Sequence, residues 1–575
     1  MKNGPDGRDI DGGEISRRTF LAVTGALTGA LALGGGSTFA TAARAESKNV
    51  LTVHIEELTG WVRNFNPFDA AGRRLSTTDF IYEPLVIFNQ FDGGKPVYRL
   101  ASAYAFSDDL LALTFTIRDG LKWSDGQPLT AEDVVYTFDL VLKNSALDLV
   151  GLGAAVSAVE PVGGSQVKLT LKAVNSLLPE ILGGFFVVPK HVWKDIAEPA
   201  THRNETPVGS GPMTEILRFT PQVYEQGRNP HYWDADALKV DIMRFPQISG
   251  NDQILAGLSS SELDWFGSFI PDIDKTFVAL DPEHNAYWQP PGDTVSFDFN
   301  WRTADPGNNE AFTDLNFRRA FSLTLDRKSM VDIAGFGYPT ANASATGLPP
   351  TFESWRNAGA GKDADKWVIF DLDGANKAFN EAGYDKRDAE GFRLTKTGKP
   401  IKFSIIVPNG WTDWIDDAQI AIEGLRKAGI NANVATPAFT QYVQQLLQGN
   451  YDVAMHARPD GATPFDAYYG SYASALVGMT RHSASRYTSP ELDKLFADFR
   501  GTADDAKRHA IFNEIQVVIA KDFPVVPAFN NPVWYQYCTK RFTGFVNKDT
   551  PTMNPEVHDN NHMRLMHLLQ LRPVV

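Results

Sequence analysis

Residues Arg118–Phe138 read RDGLKWSDGQPLTAEDVVYTF. Two Asp-Gly pairs, Asp119-Gly120 and Asp125-Gly126, mark successive turns. Thr130 opens a Thr-x-x-Asp capping box closed by Asp133. Val134, Phe138 and Val141 follow at helical spacing. Just upstream, ALTFTIR alternates Leu113, Phe115 and Ile117 with Thr114 and Thr116, the period of a half-buried strand. The stretch therefore predicts strand, turn, turn, helix. It carries no nucleophile, no metal-ligand cluster and no phosphate loop. Trp123, between the turns, is expected to be a buried anchor around which the bend is built.

Working outward, VKLTLK (Val167–Lys172), VSFDFN (Val295–Asn300) and IKFSIIV (Ile401–Val407) predict further strands. After the last of these, Ile415, Ala418, Ile422 and Leu425 form one helical face. Gly429 is placed to end that helix, and Ile430, Ala432 and Val434 alternate as a strand. This is a βαβ unit, which implies a parallel sheet with helices on its faces. A second helical pattern spans Asp314–Ala334. Long stretches of mixed α and β with few linkers predict an α/β protein whose domains are assembled from segments that cross over more than once.

The chain has 575 residues, enough for more than one packed domain. A net charge of −15 argues against a nucleic-acid partner, whose backbone needs clustered Lys and Arg. Twelve Trp and 17 Tyr supply aromatic lining for a ligand site.

At the N-terminus, Arg17-Arg18 and Phe20-Leu21 precede a mildly apolar, Gly-rich run that ends in Ala43-Arg44-Ala45. This resembles a twin-arginine export signal, residues 1–45, cleaved before Glu46. The single cysteine, Cys538, excludes an internal disulfide and reads as a small packed hydrophobe in a strand. No cysteine stands at the cleavage site to carry a lipid, so a periplasmic form without a lipid anchor is expected.

Signatures of catalysis are missing. GLSSS at Gly257 lacks the second glycine of a nucleophile elbow, AGAGKD near Lys362 lacks the first glycine and the Ser/Thr of a phosphate loop, and GLGAAV at Gly151 lacks the third glycine of a dinucleotide turn. His54 and His456 are lone histidines, read as packed or solvated. No catalytic residue, metal site or cofactor is assigned. A carboxylate pair for glycoside hydrolysis stays open among the abundant Asp and Glu.

With these pieces assembled, the chain resembles the dipeptide/oligopeptide-binding family, extracellular solute-binding family 5. Ile117-Arg118-Asp119-Gly120, Trp123, Asp125-Gly126, Pro128, Thr130-Ala131 and Asp133-Val134 match the family's most recognisable segment. PVGSGPM (Pro207–Met213), RNPHYWD (Arg228–Asp234), NFRRAFSLTLDRKSMV (Asn316–Val331), NYDVAM and YTSPELDKLF follow in the family's order. The resemblance covers residues 50–550. It implies an α/β, two-lobed periplasmic-binding-protein fold with an extra α/β domain. Lobe I is expected from 46–90, 201–300 and 531–575, the extra domain from 91–200 and lobe III from 301–530. It also implies no enzymatic activity, and a monomer that captures a small solute between closing lobes for an ABC permease and ATPase complex.

The ligand class turns on partners for its polar groups once closure excludes water. A peptide wants fixed opposite charges; a sugar wants aromatic platforms with Asn, Asp and Gln. NGWTDWIDDAQ sets Trp411 and Trp414 on the loop opening a helix, beside Asn409 and Asp413. The spacing suits an open platform and equally a pair that staples the helix. Peptide-binding members often carry Trp-x-x-Asp after the YD strand, its Asp pairing with the peptide ammonium; here the segment reads YDVAMHARPDGATPFDAYYG, leaving Asp460 as a counterpart without its tryptophan. That segment, NGWTDW and FNNPVWYQYCTKRFTGF resemble the oligosaccharide-binding branch. Asn64, Phe65 and Asn66, after the first strand, and Asn300, closing the VSFDFN strand, complete the expected ligand contacts. A short oligosaccharide or glycoside is therefore the expected solute, with a peptide importer and a periplasmic hydrolase as alternatives.

Overall fold

The computed structural model describes residues 49–574 apart from 56–59, 70–73, 260–261, 460 and 559–560; the expected export signal lies outside the described residues. Around the opening stretch, Ala101–Phe106, Ala112–Ile117, Gln166–Leu171 and Val156–Val162 form an antiparallel four-stranded sheet in that order. Leu113, Phe115 and Ile117 point into the core, as the alternation requires. The helix Ala131–Lys143 starts on the expected box: Thr130 N–H donates to Asp133 Oδ2 at 2.9 Å, and Glu132 N–H donates to Thr130 Oγ1 at 3.3 Å. Its buried face is Val134, Phe138 and Val141. Trp123 is fully buried.

A seven-stranded sheet runs Asn285–Tyr287, Gln536–Cys538, Trp265–Phe266, Val50–His54, Ile242–Pro246, Val223–Gly227, Glu215–Phe219. Val50–His54 lies at its centre, parallel to both neighbours. Cys538 is buried there, in a strand. The six-stranded sheet runs Thr340–Ala341, Val526–Pro532, Pro291–Phe299, Val453–Ala457, Lys402–Ile406, Asn431–Ala435. Its last two strands flank the helix Thr412–Lys427 in sequence and pair in parallel, Lys402 opposite Asn431, which is the expected βαβ unit.

Two expectations need correction. Residues 291–299 were assigned with lobe I, but Pro291–Phe299 pairs with Val453–Ala457 and Val526–Pro532 and so belongs to the second large sheet. The helical pattern Asp314–Ala334 is not one helix. Leu315–Leu323 ends, Asp326 caps a new start by accepting from Ser329 N–H at 3.0 Å, and a wide turn closes with Gly335 N–H to Met330 O at 2.9 Å. The break at Thr324 lets Gly424 pack its backbone against the Thr324 carbonyl, where any Cβ would stand 2.0 Å away.

Polar links fasten the pieces. The turn after the opening strand docks on PVGSGPM: Ser124 N–H donates to Gly209 O at 2.9 Å, and Gly209 N–H to Ser124 Oγ at 3.2 Å. A Cβ at Gly209 or Gly211 would meet the Ile81 or Phe80 carbonyl at 2.2 or 2.4 Å, so only glycine allows this approach. Trp233 of RNPHYWD lies under two guanidinium groups, Arg99 at 4.7 Å and Arg118 at 4.6 Å. Glu83, fully buried, accepts from Arg99 Nε at 2.6 Å, Tyr232 Oη at 3.0 Å and Trp233 Nε1 at 2.6 Å. The C-terminal helix Met563–Gln570 is tied back by Arg564, which donates to Asp79 at 2.5 and 2.7 Å with both residues buried.

His567 on that helix lies against Trp265, ring centroids 4.5 Å apart, and accepts from Val546 N–H at 3.3 Å. Burial pushes its pKa down to about 3. The unfolded chain therefore binds the extra proton between the ordinary histidine value and about 3, and this contribution to stability is full above about pH 6.5 and lost as pH falls through that window. Replacing His567 with Phe is expected to flatten the acid limb of stability against pH by up to about 1.4 kcal/mol per pH unit, read from urea midpoints between pH 4 and 8.

Candidate functional site

In open α/β sheets, ligands bind beyond the carboxyl ends of the strands. Four parallel strands from two sheets discharge here into one cavity of about 240 Å³. Ile55 follows Val50–His54, Gly267–Phe269 follow Trp265–Phe266, Trp411 follows Lys402–Ile406, and Arg458-Pro459 follow Val453–Ala457. Asn531–Trp534, at the end of Val526–Pro532, also line it. The two sheets touch at the rim, where Asn251 N–H donates to Gly410 O at 3.2 Å and its amide to Thr412 Oγ1 at 3.1 Å.

One wall is aromatic. Trp411 sits at the N-cap of the helix Thr412–Lys427, edge-on to Trp414 at 4.9 Å and 84°, and stacked on Phe439 at 5.7 Å and 26°. Its Nε1 is buried and has no hydrogen-bond partner among the described residues. Trp414 is buried, so it staples the helix and also shows a face to the cavity. Asp413 lines the cavity and accepts from the Asn251 amide at 3.4 Å. Two further rings are Phe269, just after Trp265–Phe266, and Trp534, on the link between Val526–Pro532 and Gln536–Cys538, with centroids 5.7 Å apart. Asn531 Oδ1 and Glu556 Oε2 are further buried polar atoms of this lining without partners among the described residues.

Another part is cationic. His456 Nδ1 pairs with Tyr442 Oη at 3.0 Å, and its Nε2 lies 3.4 Å from His482 Nδ1. Arg481 Nε approaches the other nitrogen of His482 at 3.4 Å, with its guanidinium 5.7 Å from the Phe439 ring. Arg458, buried, donates from Nε to Gly347 O at 3.2 Å and lies over Tyr472 at 5.1 Å. Burial, then the fields of Arg481 and Arg458, push the His456 pKa down to about 3. Burial, Arg481 and His456 hold His482 well below the ordinary value. Behind them, burial raises the Asp298 carboxyl to about 7, against the lowering pull of its Ser296 hydrogen bond and Arg458.

Of the residues expected from sequence, Trp411, Asp413 and Trp414 converge on the cavity. Five do not line it. Asn66 spends its amide on Pro199 O at 2.8 Å and His202 O at 2.7 Å. Asn64 bonds Asp69 and accepts from Asn66 N–H at 3.0 Å, and Phe65 is core. Asn300 bridges Gly449 O at 2.9 Å and Tyr451 O at 2.8 Å. Asn409 is exposed on its loop and does not line the cavity either. Asp460 lies outside the described residues. His54 is buried in its strand, and His456 is packed into the cavity wall. The cationic group and Trp534 were missed. MHAR and TRHS each set a histidine within two residues of an arginine, and that shared pattern was the available signal.

Among the described residues, no cluster of three His, Cys, Asp or Glu is arranged to hold a metal, and no helix is long and apolar enough to cross a membrane. Two α/β sheets facing one solute-sized cavity, with a third sheet appended, define a two-lobed periplasmic binding protein. Residues 95–477 match the model for "Bacterial extracellular solute-binding proteins, family 5 Middle". The chain belongs to that family of solute-binding proteins. The periplasmic oligopeptide-binding protein of Thermotoga maritima, solved with mannohexaose bound, superposes with a TM-score of 0.82 at 24% identity, covering 92% of this chain and 99% of that one. The oligopeptide-binding protein AppA of Bacillus subtilis, solved with a nonapeptide, gives 0.74 at 20% identity, covering 92% and 99%. The oligopeptide-binding protein OppA of Bacillus subtilis is 23% identical over 468 residues, 77% of this chain and 81% of its own.

Proposed function

We propose that the protein captures a short oligosaccharide or glycoside in this cavity, in the periplasm, and passes it unaltered to an ABC permease and ATPase complex. Trp411 carries the reading: an indole on the cavity wall with a buried N–H that no group among the described residues satisfies. A sugar offers both complements, an apolar ring face and a hydroxyl oxygen to accept from Nε1. Asn531 Oδ1 and Glu556 Oε2 are matching acceptors for hydroxyl donors. The Asn251–Gly410 contact across the rim fits lobes that close over the solute and exclude water.

A peptide is the second reading. It is favoured by carboxylates and guanidinium groups in the same lining, and by the peptide-binding names of the relatives. Thermal-shift screening of di- to tetrasaccharides against di- to hexapeptides separates them. A ligand at a hundredfold excess over its Kd stabilises by about 2.7 kcal/mol. Stabilisation by peptides alone overturns the sugar reading, and recovery of cleaved sugar replaces it with a hydrolase. Replacing Trp411 with Ala is expected to weaken sugar binding by about 1–3 kcal/mol, measured by calorimetry.

A further inference from the structure

The charges in the cavity wall do not balance locally. Its carboxylates, Asp413, Glu556 and Asp293, and its cations, Arg458 and Arg481, line the same space. Yet among the described residues no carboxylate lies within ion-pair distance of either guanidinium, although surface arginines elsewhere find one readily. Arg458 is buried and its Nη2 has no hydrogen-bond partner among the described residues. Arg481 is half-buried and makes a single protein hydrogen bond, to a neutral imidazole. Two histidines packed against these groups are held neutral, by burial first and by the positive field second. A guanidinium presents several N–H donors in a planar fork, which matches the oxygen pair of a carboxylate or phosphate. Arg458 is buried with only the Asp298 carboxyl in its field, beyond ion-pair distance, and Arg481 is half-buried with no carboxylate paired to it among the described residues, so this region is arranged for an anion supplied from outside.

We infer that the solute is an acidic glycoside, whose anionic substituent (a carboxylate or a phosphate ester) seats on the Arg481 fork with Arg458 adding its field from behind. The inference rests on the sugar reading of the cavity. The aromatic wall takes the ring face, the cationic region takes the charge, and neutral sugars of the same size lack the second contact. Arg481 is thus a specificity-determining residue.

Calorimetry with the purified mature protein tests this. The probes are uronic-acid di- and trisaccharides, the same sugars as methyl esters, and trisaccharide phosphate esters. Acid forms are expected to bind about tenfold or more tighter than their esters, a preference that added salt weakens. Arg481→Gln removes the preference, bringing acid and ester to equal affinity, while Arg481→Lys, which keeps the charge without the fork, retains part of it. Tighter binding of phosphate esters than of uronates supports the inference and assigns the anion as phosphate. Equal affinity for acid and ester, or a preference that survives in Arg481→Gln with its circular dichroism unchanged, overturns this inference alone and leaves the sugar reading standing. Binding of peptides and of no sugar overturns both.

Discussion

Replacing Glu83 with Ala is expected to destabilise the fold by about 3–5 kcal/mol, measured by urea denaturation. The carboxylate is fully buried and accepts from Arg99, Tyr232 and Trp233 together. Without it, the Arg99 side chain keeps Tyr232 Oη at 2.9 Å and one long contact to Asp234, 3.4 Å. A buried guanidinium left with only the more distant Asp234 carboxylate accounts for most of the cost. Two further donors, the Tyr232 hydroxyl and the Trp233 indole, lose their acceptor. Glu83→Gln should recover only part of this. It keeps one acceptor oxygen but turns an NH2 toward either an indole N–H or the arginine, and it carries no charge. A loss under 1 kcal/mol in Glu83→Ala would mean that water enters and replaces the network.

Trp123→Ala is expected to cost about 3–5 kcal/mol as well, for a different reason. Its indole is fully buried, and Nε1 has no partner, so the loss is transfer and cavity energy and not a broken hydrogen bond. Trp123→Phe should restore most of it, since the remaining volume change is small. Solute affinity should stay unchanged, because Trp123 is not in the cavity lining. A Trp123→Ala protein that kept its stability and lost its ligand would make this residue a contact instead of an anchor.

What could be read ahead of the structure divides by the range of the interactions involved. The capping box at Thr130, the alternation from Leu113 to Ile117 and the βαβ unit are set by neighbours in sequence, and the structure has them within a residue or two. Trp411 and Trp414 were legible because two tryptophans on a polar loop before a helix have few local uses. Asn300 was misread because its amide serves carbonyls 149 and 151 residues away, and nothing near it in sequence shows that bond. Asn66 fails in the same way, spending its side chain on Pro199 and His202. The cationic region is assembled from the end of the strand Val453–Ala457 and a loop near Arg481, so its field exists only once the two meet. The break at Thr324 escaped notice because the periodicity of Asn316–Val331 continues across it, while the Gly424 contact that exploits the break lies in another element.

The threading of the chain through its first sheet also sets an order of events at the ribosome. The strand Val50–His54 emerges among the earliest residues, while Gln536–Cys538 and the Arg564 clamp on Asp79, 485 residues further on, arrive last. At about 5–20 residues per second, that gap corresponds to about 25–100 seconds of synthesis. Leu51 and Val53 gain both strand neighbours once Phe266 has been made, but the outer edge of Trp265–Phe266 stays open until Gln536–Cys538 arrives, and it invites mispairing. This lobe is therefore the last to mature, and a holding factor or a premature stop near the end of the message acts on it first.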